Sequence, residues 1–451
     1  MQQCQYSPRG LERAKMQVYA NPRTQAKQIA GPMTGAYDNR LLTTCAACAA
    51  PLYHDNKKRC SRCKTRYCSA ICQQTHWERG GHDTLCKKIK KSGGAEQYHA
   101  DQKYAEAVAE AAEVCAENTK GQTCYICAEA VHRHTKEGLV RGCACHTTEG
   151  YVHVSCLVDE AKTLVTEAQE KNLDDGSGWS RWRSCSLCGQ NHRGAVFCAL
   201  GWGAWKTYLD RPESDRSRAR AALGLGNALL AVNRNDEALV VLEGAEATAR
   251  RSGNSGHVFE VQPSCAQCYD ELGMLELALG LRRDHYAKFG LALKIRHRRE
   301  GEIDIATYPK AVHGGAVLLD VAQKLLLSLV RTERISEAKR FARRQIPVAQ
   351  SVLGEDHEIT LCLREAYAYS LTTGRHIPYG DAMEAWAIFE DIVPRSQRIF
   401  GDDHPHTIRF QAKRDNIAVA VTALLRETEA KQVAARNVIL RFMRRCRCGS
   451  P

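Results

Sequence analysis

The chain contains no uncharged apolar run of the roughly 18 residues that a membrane-spanning helix requires. Its nearest approach, "AVLLDVAQKLLLSLV", is broken by Asp320 and Lys324. The N-terminus "MQQCQYSPRG" has no apolar segment of the secretory kind, so no signal peptide is expected. A soluble protein of a reducing compartment, cytoplasm or nucleus, follows as an expectation. In such a compartment closely paired cysteines bind metal in preference to oxidising. No DNA- or RNA-reading motif accompanies the basic runs "KKIKK" and "RFMRRCR", so neither a nucleic-acid partner nor a membrane is expected. Cys265-x2-Cys268 has no second pair and reads as helix core; Cys446-x-Cys448 ends the chain without partners.

What the chain has in abundance is cysteine, 22 in 451 residues. Cys45-x2-Cys48, Cys60-x2-Cys63, Cys68-x3-Cys72 and His82-x3-Cys86 form a first cluster of eight ligand-type residues. Thiolate and imidazole together suit tetrahedral Zn2+, and a close pair lets one short loop grip one face of the ion. Four pairs complete two sites with nothing left over. A second cluster, Cys124-x2-Cys127, Cys143-x-Cys145, His153-x2-Cys156 and Cys185-x2-Cys188, again supplies eight. Fourteen bound thiolates and four Zn2+ would move the formal charge of +13 by about −6, to a modest value near +7.

The stretch "CAACAAPLYHDNKKRCSRCKTRYCSAICQQTHWERGGHDTLC" resembles the MYND zinc finger. The resemblance implies interleaved sites: Cys45, Cys48, Cys68 and Cys72 around one zinc, and Cys60, Cys63, His82 and Cys86 around the other. It also implies a face for short proline-containing peptides, carried by Gln73 and Trp77. His54 and His76 lie off the ligand register and read as surface or packing residues.

The second cluster has the order of four Cys, one His and three Cys. The gap from Cys145 to His153 and the single residue between Cys143 and Cys145 are similar to the RING-CH domain. That resemblance implies cross-bracing, with Cys124, Cys127, His153 and Cys156 on one zinc and Cys143, Cys145, Cys185 and Cys188 on the other. It further implies a ubiquitin ligase that holds a ubiquitin-conjugating enzyme and uses no nucleophile of its own. Ile126, Leu157 and Trp182 are the positions expected to contact that enzyme. The chain departs from the family where "VDEAK" replaces the usual Trp after Leu157, in the long gap bearing "DDGSG", and at Ser186, where a proline is common.

Between and after the clusters the chain is helical. Residues 1–44 read as a disordered arm, 45–86 as the finger and 87–120 as a helical linker rich in Ala and Glu, with Cys115 binding nothing. Residues 121–200 form the RING-CH-like domain. The aromatic, Gly-rich "GQNHRGAVFCALGWGAWKTY" is expected to seat that domain on the helical repeats, with Trp202 and Trp205 as packing residues. Residues 201–445 carry a repeat. "SVLGEDHEIT" and "RIFGDDHPHT" place Gly354 and Gly401 at matching positions, each expected to end a helix in a left-handed conformation. Ala238 and Ala278, 40 residues apart, and Ala338, beyond a longer gap, stand where paired helices would cross, and with the 47 residues between Gly354 and Gly401 they suggest a period in the forties. The G-x-D-H-P-x-T signature resembles the tetratricopeptide repeats of kinesin light chains. "GRHIPYGDA" and "RHRREGEIDIATYPKA" read as loop insertions, and residues 446–451 as a tail.

The expected fold class is mainly α: two small cross-braced zinc fingers followed by an α-helical repeat solenoid. The expected function is a scaffold for protein partners with ubiquitin-ligase activity, substrate being chosen by the finger and the repeats. The alternative is a non-enzymatic adaptor. A SET-and-MYND lysine methyltransferase is disfavoured, because no "NHSC"-like or "GEEL"-like segment surrounds the finger.

Overall fold

The structure, a computed structural model, describes residues 45–48, 58–143, 145, 150–173, 178–300, 309–374, 377–402, 404–419, 421–422 and 426, without side chains at 291–300 and 309–315. The arm 1–44, His54, and the Cys446 and Cys448 tail lie outside the described residues. The chain divides into two compact units, Met1–Tyr98 and His99–Pro451. The second cysteine cluster and the helical array therefore fall within one unit.

In the first unit, β1 (Lys58–Arg59) pairs antiparallel with β2 (Arg66–Tyr67), followed by α1 (Ala70–Glu78) and α2 (His82–Lys91). Ser69 caps α1, its side chain accepting from the Cys72 N–H at 3.1 Å. Tyr67, Ile89 and the cysteines Cys45, Cys60, Cys63 and Cys86 make up the small buried core. A core this small needs a further constraint such as metal.

Helix α3 (Ala95–Cys115) leads into the second unit, where α4 (Val154–Glu170) and α5 (Gly194–Tyr208) come next. Helix α5 crosses the 200/201 position at which the sequence pattern divides module from repeats. The array then runs through α6 (Arg216–Leu230), α7 (Asn235–Arg251), α8 (Ser255–Glu271), α9 (Leu275–Glu300), α10 (Pro309–Arg331), α11 (Ile335–Leu353), α12 (Glu358–Thr372) and α13 (Tyr379–Phe400). Residues 405–419 are helical again. Each helix from α5 onward packs on the next, while α6 also meets α8 and α10 meets α12. A helix pair cannot cover its own apolar stripe, so neighbours stack.

The repeat is explicit in the turns. Asn233, Gly273 and Glu333 adopt φ of 60°, 75° and 59°. The residue after each donates to a carbonyl five back: Arg234 to Leu229 at 2.9 Å, Met274 to Tyr269 at 2.7 Å and Arg334 to Leu329 at 2.9 Å. This is one helix-ending hydrogen-bond pattern, and Gly253, with Asn254 donating to Ala249 at 2.9 Å, repeats it between α7 and α8. Five residues beyond Asn233, Gly273 and Glu333 stand Ala238, Ala278 and Ala338, all with no exposure, so small side chains let the paired helices approach. The "GRHIPYGDA" stretch begins after α12, and its last four residues, from Tyr379 to Ala382, open α13.

Gly354 and Gly401 do end α11 and α13, with φ of 87° and 90°. Their ψ is 166° in both cases, so the chain leaves extended and not in the left-handed helical well. That combination is open essentially to glycine alone. Pro347 and Pro394, seven residues before each, extend the correspondence.

Candidate metal centres and exposed surfaces

Four quartets assemble among the described residues. Cys45, Cys48, Cys68 and Cys72 converge, as do Cys60, Cys63, His82 and Cys86, then Cys124, Cys127, His153 and Cys156, and finally Cys143, Cys145, Cys185 and Cys188. Within each, the ligand atoms lie within 4.8 Å of one another. These are the interleaved groupings that the two resemblances imply.

The chain builds these centres from two local devices. The first is a tight turn used three times. The N–H of Cys60, Cys124 and Cys185 donates to the carbonyl of Thr65, Glu129 and Gln190 at 2.8, 3.0 and 2.8 Å. The residue after each second cysteine, Lys64, Ala128 or Gly189, takes a positive φ and donates back at 2.8–3.0 Å. The second device is a helix N-terminus: Cys72 lies in the first turn of α1, His82 in that of α2 and Cys156 in that of α4. The macrodipole favours a thiolate there.

The spacings fit a tetrahedral ion. A Zn–S bond of about 2.3 Å makes the S–S edge of the tetrahedron about 3.8 Å, whereas a disulfide is about 2.05 Å. The Sγ atoms of Cys48 and Cys68 are 3.6 Å apart, those of Cys68 and Cys72 3.4 Å, and those of Cys60 and Cys86 3.7 Å. In the second module Cys143 and Cys145 are 3.2 Å apart, and Cys145 and Cys185 3.7 Å. His82 offers Nε2, 3.4 Å from the Cys63 sulfur; His153 offers Nδ1, 3.3 Å from that of Cys127.

The electrostatics also call for a cation. Burial pushes the Cys45 thiol up, but backbone N–H groups of Cys68, Ala47 and Cys48 outweigh it and lower it to about 6. Cys60 and Cys124 are lowered in the same manner against burial. Their neighbours move the other way. Hydrogen bonding to Cys72, Cys48 and Cys45 raises Cys68 to about 12. Burial, then bonding to Cys60 and Cys63, raises Cys86 to about 12. Crowded thiols resist joint ionisation unless a bound cation compensates them.

The histidines outside the quartets have other work. His76 bonds the Tyr67 hydroxyl through Nδ1 at 3.0 Å and packs beside His82. His132 begins a turn with the same frame as the three cysteine turns: its N–H donates to Glu137 O at 3.0 Å, the Lys136 N–H returns to it at 3.0 Å, and Lys136 has φ 60°. Thr135 stands where the second cysteine would be, its Oγ1 2.8 Å from His132 Nδ1. A hydrogen bond thus closes this fourth turn where metal would close the others. Neither His132 nor His134 enters a quartet.

Gln73 and Trp77 sit one turn apart on α1. Gln73 Nε2 points to the Arg59 carbonyl at 3.5 Å, and Trp77 is 39% exposed. Of the three positions expected to meet a conjugating enzyme, Ile126 is 43% exposed, but Leu157 and Trp182 are buried at 2% and 5%. The contact role expected for those two requires an exposure that neither has. Leu157 lies in the buried face of α4, and Trp182 packs on Tyr208 with ring centroids 5.9 Å apart. Leu187, which no sequence motif singled out, is 47% exposed. It occupies in Cys185-x2-Cys188 the place that Ile126 holds in Cys124-x2-Cys127. The residues preceding them, Tyr125 and Ser186, are joined hydroxyl to hydroxyl at 3.0 Å. Two tips, each presenting an aliphatic side chain, are thereby tied together. Symmetry between the first and last cysteine pairs was the signal that could have found Leu187.

Cys265, Cys268 and Cys115 are buried outside any quartet. Among the described residues no helix is long and apolar enough to cross a membrane.

A family model, the MYND finger, matches residues 44–86. No curated protein matches the chain. Among solved structures, the chain is similar to the nearly identical TPR-like repeats of a protein described as a kinesin light chain of Podosopora anserina. The identity is 15%, over 55% of this chain and 98% of that one, with a TM-score of 0.35. The Q17M form of the same repeats has the same identity and TM-score, over 55% of this chain and 97% of that one. The repeat architecture rests on the recurring turns described above and not on this likeness.

Proposed function

We propose that this chain is a zinc-organised scaffold for protein partners whose second module recruits a ubiquitin-conjugating enzyme and promotes ubiquitin transfer. Four Zn2+ ions, one in each quartet, hold the two modules in shape. The finger offers Gln73 and Trp77 to short proline-containing peptides, and the helical array offers an extended surface for substrate. Two moderate surfaces on one chain bind more tightly than either alone.

The observation that carries the ligase reading is the linked pair of tips bearing Ile126 and Leu187. Exposed aliphatics fixed on rigid turns suit recognition of an apolar partner loop, because little conformational freedom is lost on binding. The module's own residues bind and orient the conjugating enzyme; no side chain attacks the thioester. Leu157 and Trp182 then support the module from within. The burial of those two also leaves a smaller contact patch than expected, which favours the adaptor as the second reading.

The test is ubiquitin transfer by the purified full-length protein with a broad panel of conjugating enzymes, zinc content being measured in parallel. Chain formation by the zinc-loaded protein, lost on Cys124→Ser, is the expected result. Absence of transfer with every enzyme while zinc remains bound would leave the adaptor.

A further inference from the structure

We propose that the second zinc module is the folding cap of the helical array, coupled to it through α5. The inference rests on that module holding zinc, as proposed above. Of the fifteen residues of α5, ten are buried. A helix buried around most of its circumference cannot stand at the open end of a soluble array, which needs a polar outer face.

Two glycines show what covers it. Gly201 and Gly203 are two positions apart, and so point about 200° apart around the helix. A methyl group built at Gly201 would lie 2.7 Å from Ala228 Cβ, on α6. One built at Gly203 would lie 2.7 Å from Val158 Cγ2, on α4, 3.3 Å from the Tyr104 ring, on α3, and 3.7 Å from the Trp182 ring. The helix is notched on one side for the first repeat and on the other for the metal module.

Its start is held by the module as well. The Arg193 N–H donates to the Gly142 carbonyl at 2.9 Å, one residue before the ligand Cys143. Gln169, on α4, donates to Ser217 Oγ at the start of α6 at 3.0 Å. Metal loss would free both the Gly142 loop and the beginning of α4, and the outer side of α5 would lose that cover and keep only its contacts with α3, through Tyr104, His99 and Asp101. In a stacked array each helix depends on its neighbours. Helices α5 and α6 should therefore loosen while α12 and α13 keep their own contacts. Linkage requires the converse: the seated array slows metal release from the module.

The experiment is hydrogen exchange on the full-length protein, with zinc content measured first. A second module without zinc in the native protein would defeat the reading above, and this inference with it; zinc present without coupling would defeat this inference alone. On removal of zinc by EDTA, or in Cys124→Ser, amides of α5 and α6 should exchange at least tenfold faster. Those of α12 and α13 should be unchanged. Cys60→Ser, which breaks only the finger, should leave α5 and α6 protected. Gly203→Val keeps every ligand but overfills the joint, and should speed EDTA release of the second module's zinc at least tenfold with the finger's unchanged. Unchanged exchange in α5 and α6 after metal loss overturns the proposal. So does equal loss of protection in α12 and α13, or unchanged zinc release in Gly203→Val.

Discussion

Truncating Ile126 and Leu187 to alanine tests the ligase surface without touching a ligand. The two side chains leave 43% and 47% of their residue surface in solvent. Complete burial of an aliphatic side chain contributes about 1.5–3 kcal/mol, so covering a little under half of each yields about 0.7–1.4 kcal/mol. At about 1.4 kcal/mol per tenfold, each single change should weaken the conjugating enzyme about 3- to 10-fold. The double change should weaken it about 10- to 100-fold if the two contributions add. The ligands remain in place, so zinc content should not change. Affinity is measured by titration with a conjugating enzyme that is active with the wild type. Transfer is measured below and above its dissociation constant. A binding defect reduces transfer at low enzyme concentration and is rescued at saturation. A double variant that binds with wild-type affinity would refute the assignment of this surface.

Three further outcomes concern the array and the module. Asp270 is buried and paired with Arg282, itself bonded to Ser328, and with Arg331 at 3.5 Å. Asp270→Asn leaves Arg282, whose side chain is only 12% exposed, without its counter-charge and should cost about 3–5 kcal/mol in urea denaturation of the array; a cost below about 1 kcal/mol would contradict the pairing. His285 is 5% exposed against Phe259. Burial, with Lys324 nearby, lowers its pKa to about 4. In the unfolded chain it titrates near 6.5, so its contribution is intact above that value and is lost as pH falls toward 4. The loss approaches about 3 kcal/mol, and His285→Leu should flatten the dependence of array stability on pH between 6.5 and 4. Thr135→Ala removes the bond that closes the metal-free turn. It should lower module stability by about 1 kcal/mol in a thermal melt with zinc content unchanged; release of zinc would show the turn to be part of a metal site.

The candidate metal centres were legible because their geometry is local. Cys-x2-Cys can close only as a tight turn, and the His82-x3-Cys86 spacing puts both ligands on one face of a helix. The cross-bracing could be stated from the resemblance, and the structure brings the same sixteen residues together in four groups that could hold a metal. The repeat was legible for a related reason: Gly354 and Gly401, and the three buried alanines, mark places where the backbone tolerates little else. Leu157 and Trp182 were misplaced because spacing to the nearest ligand says nothing about burial. Trp182 is covered by Tyr208 and Gly203, more than twenty residues on. The boundary at 200/201 was drawn within the aromatic, Gly-rich stretch that follows the last cysteine pair. Packing places it inside a continuous helix.

By itself the sequence determined which side chains can grip a metal, where helices end and at what period they recur, since these depend on short-range covalent and backbone constraints. Only the tertiary structure decided which apolar residues reach solvent and which become a joint. Exposure is a property of everything that packs around a residue. The helices that bury Trp182 and seal α5, and the Tyr125–Ser186 tie between the two cysteine turns, come from segments far apart along the chain.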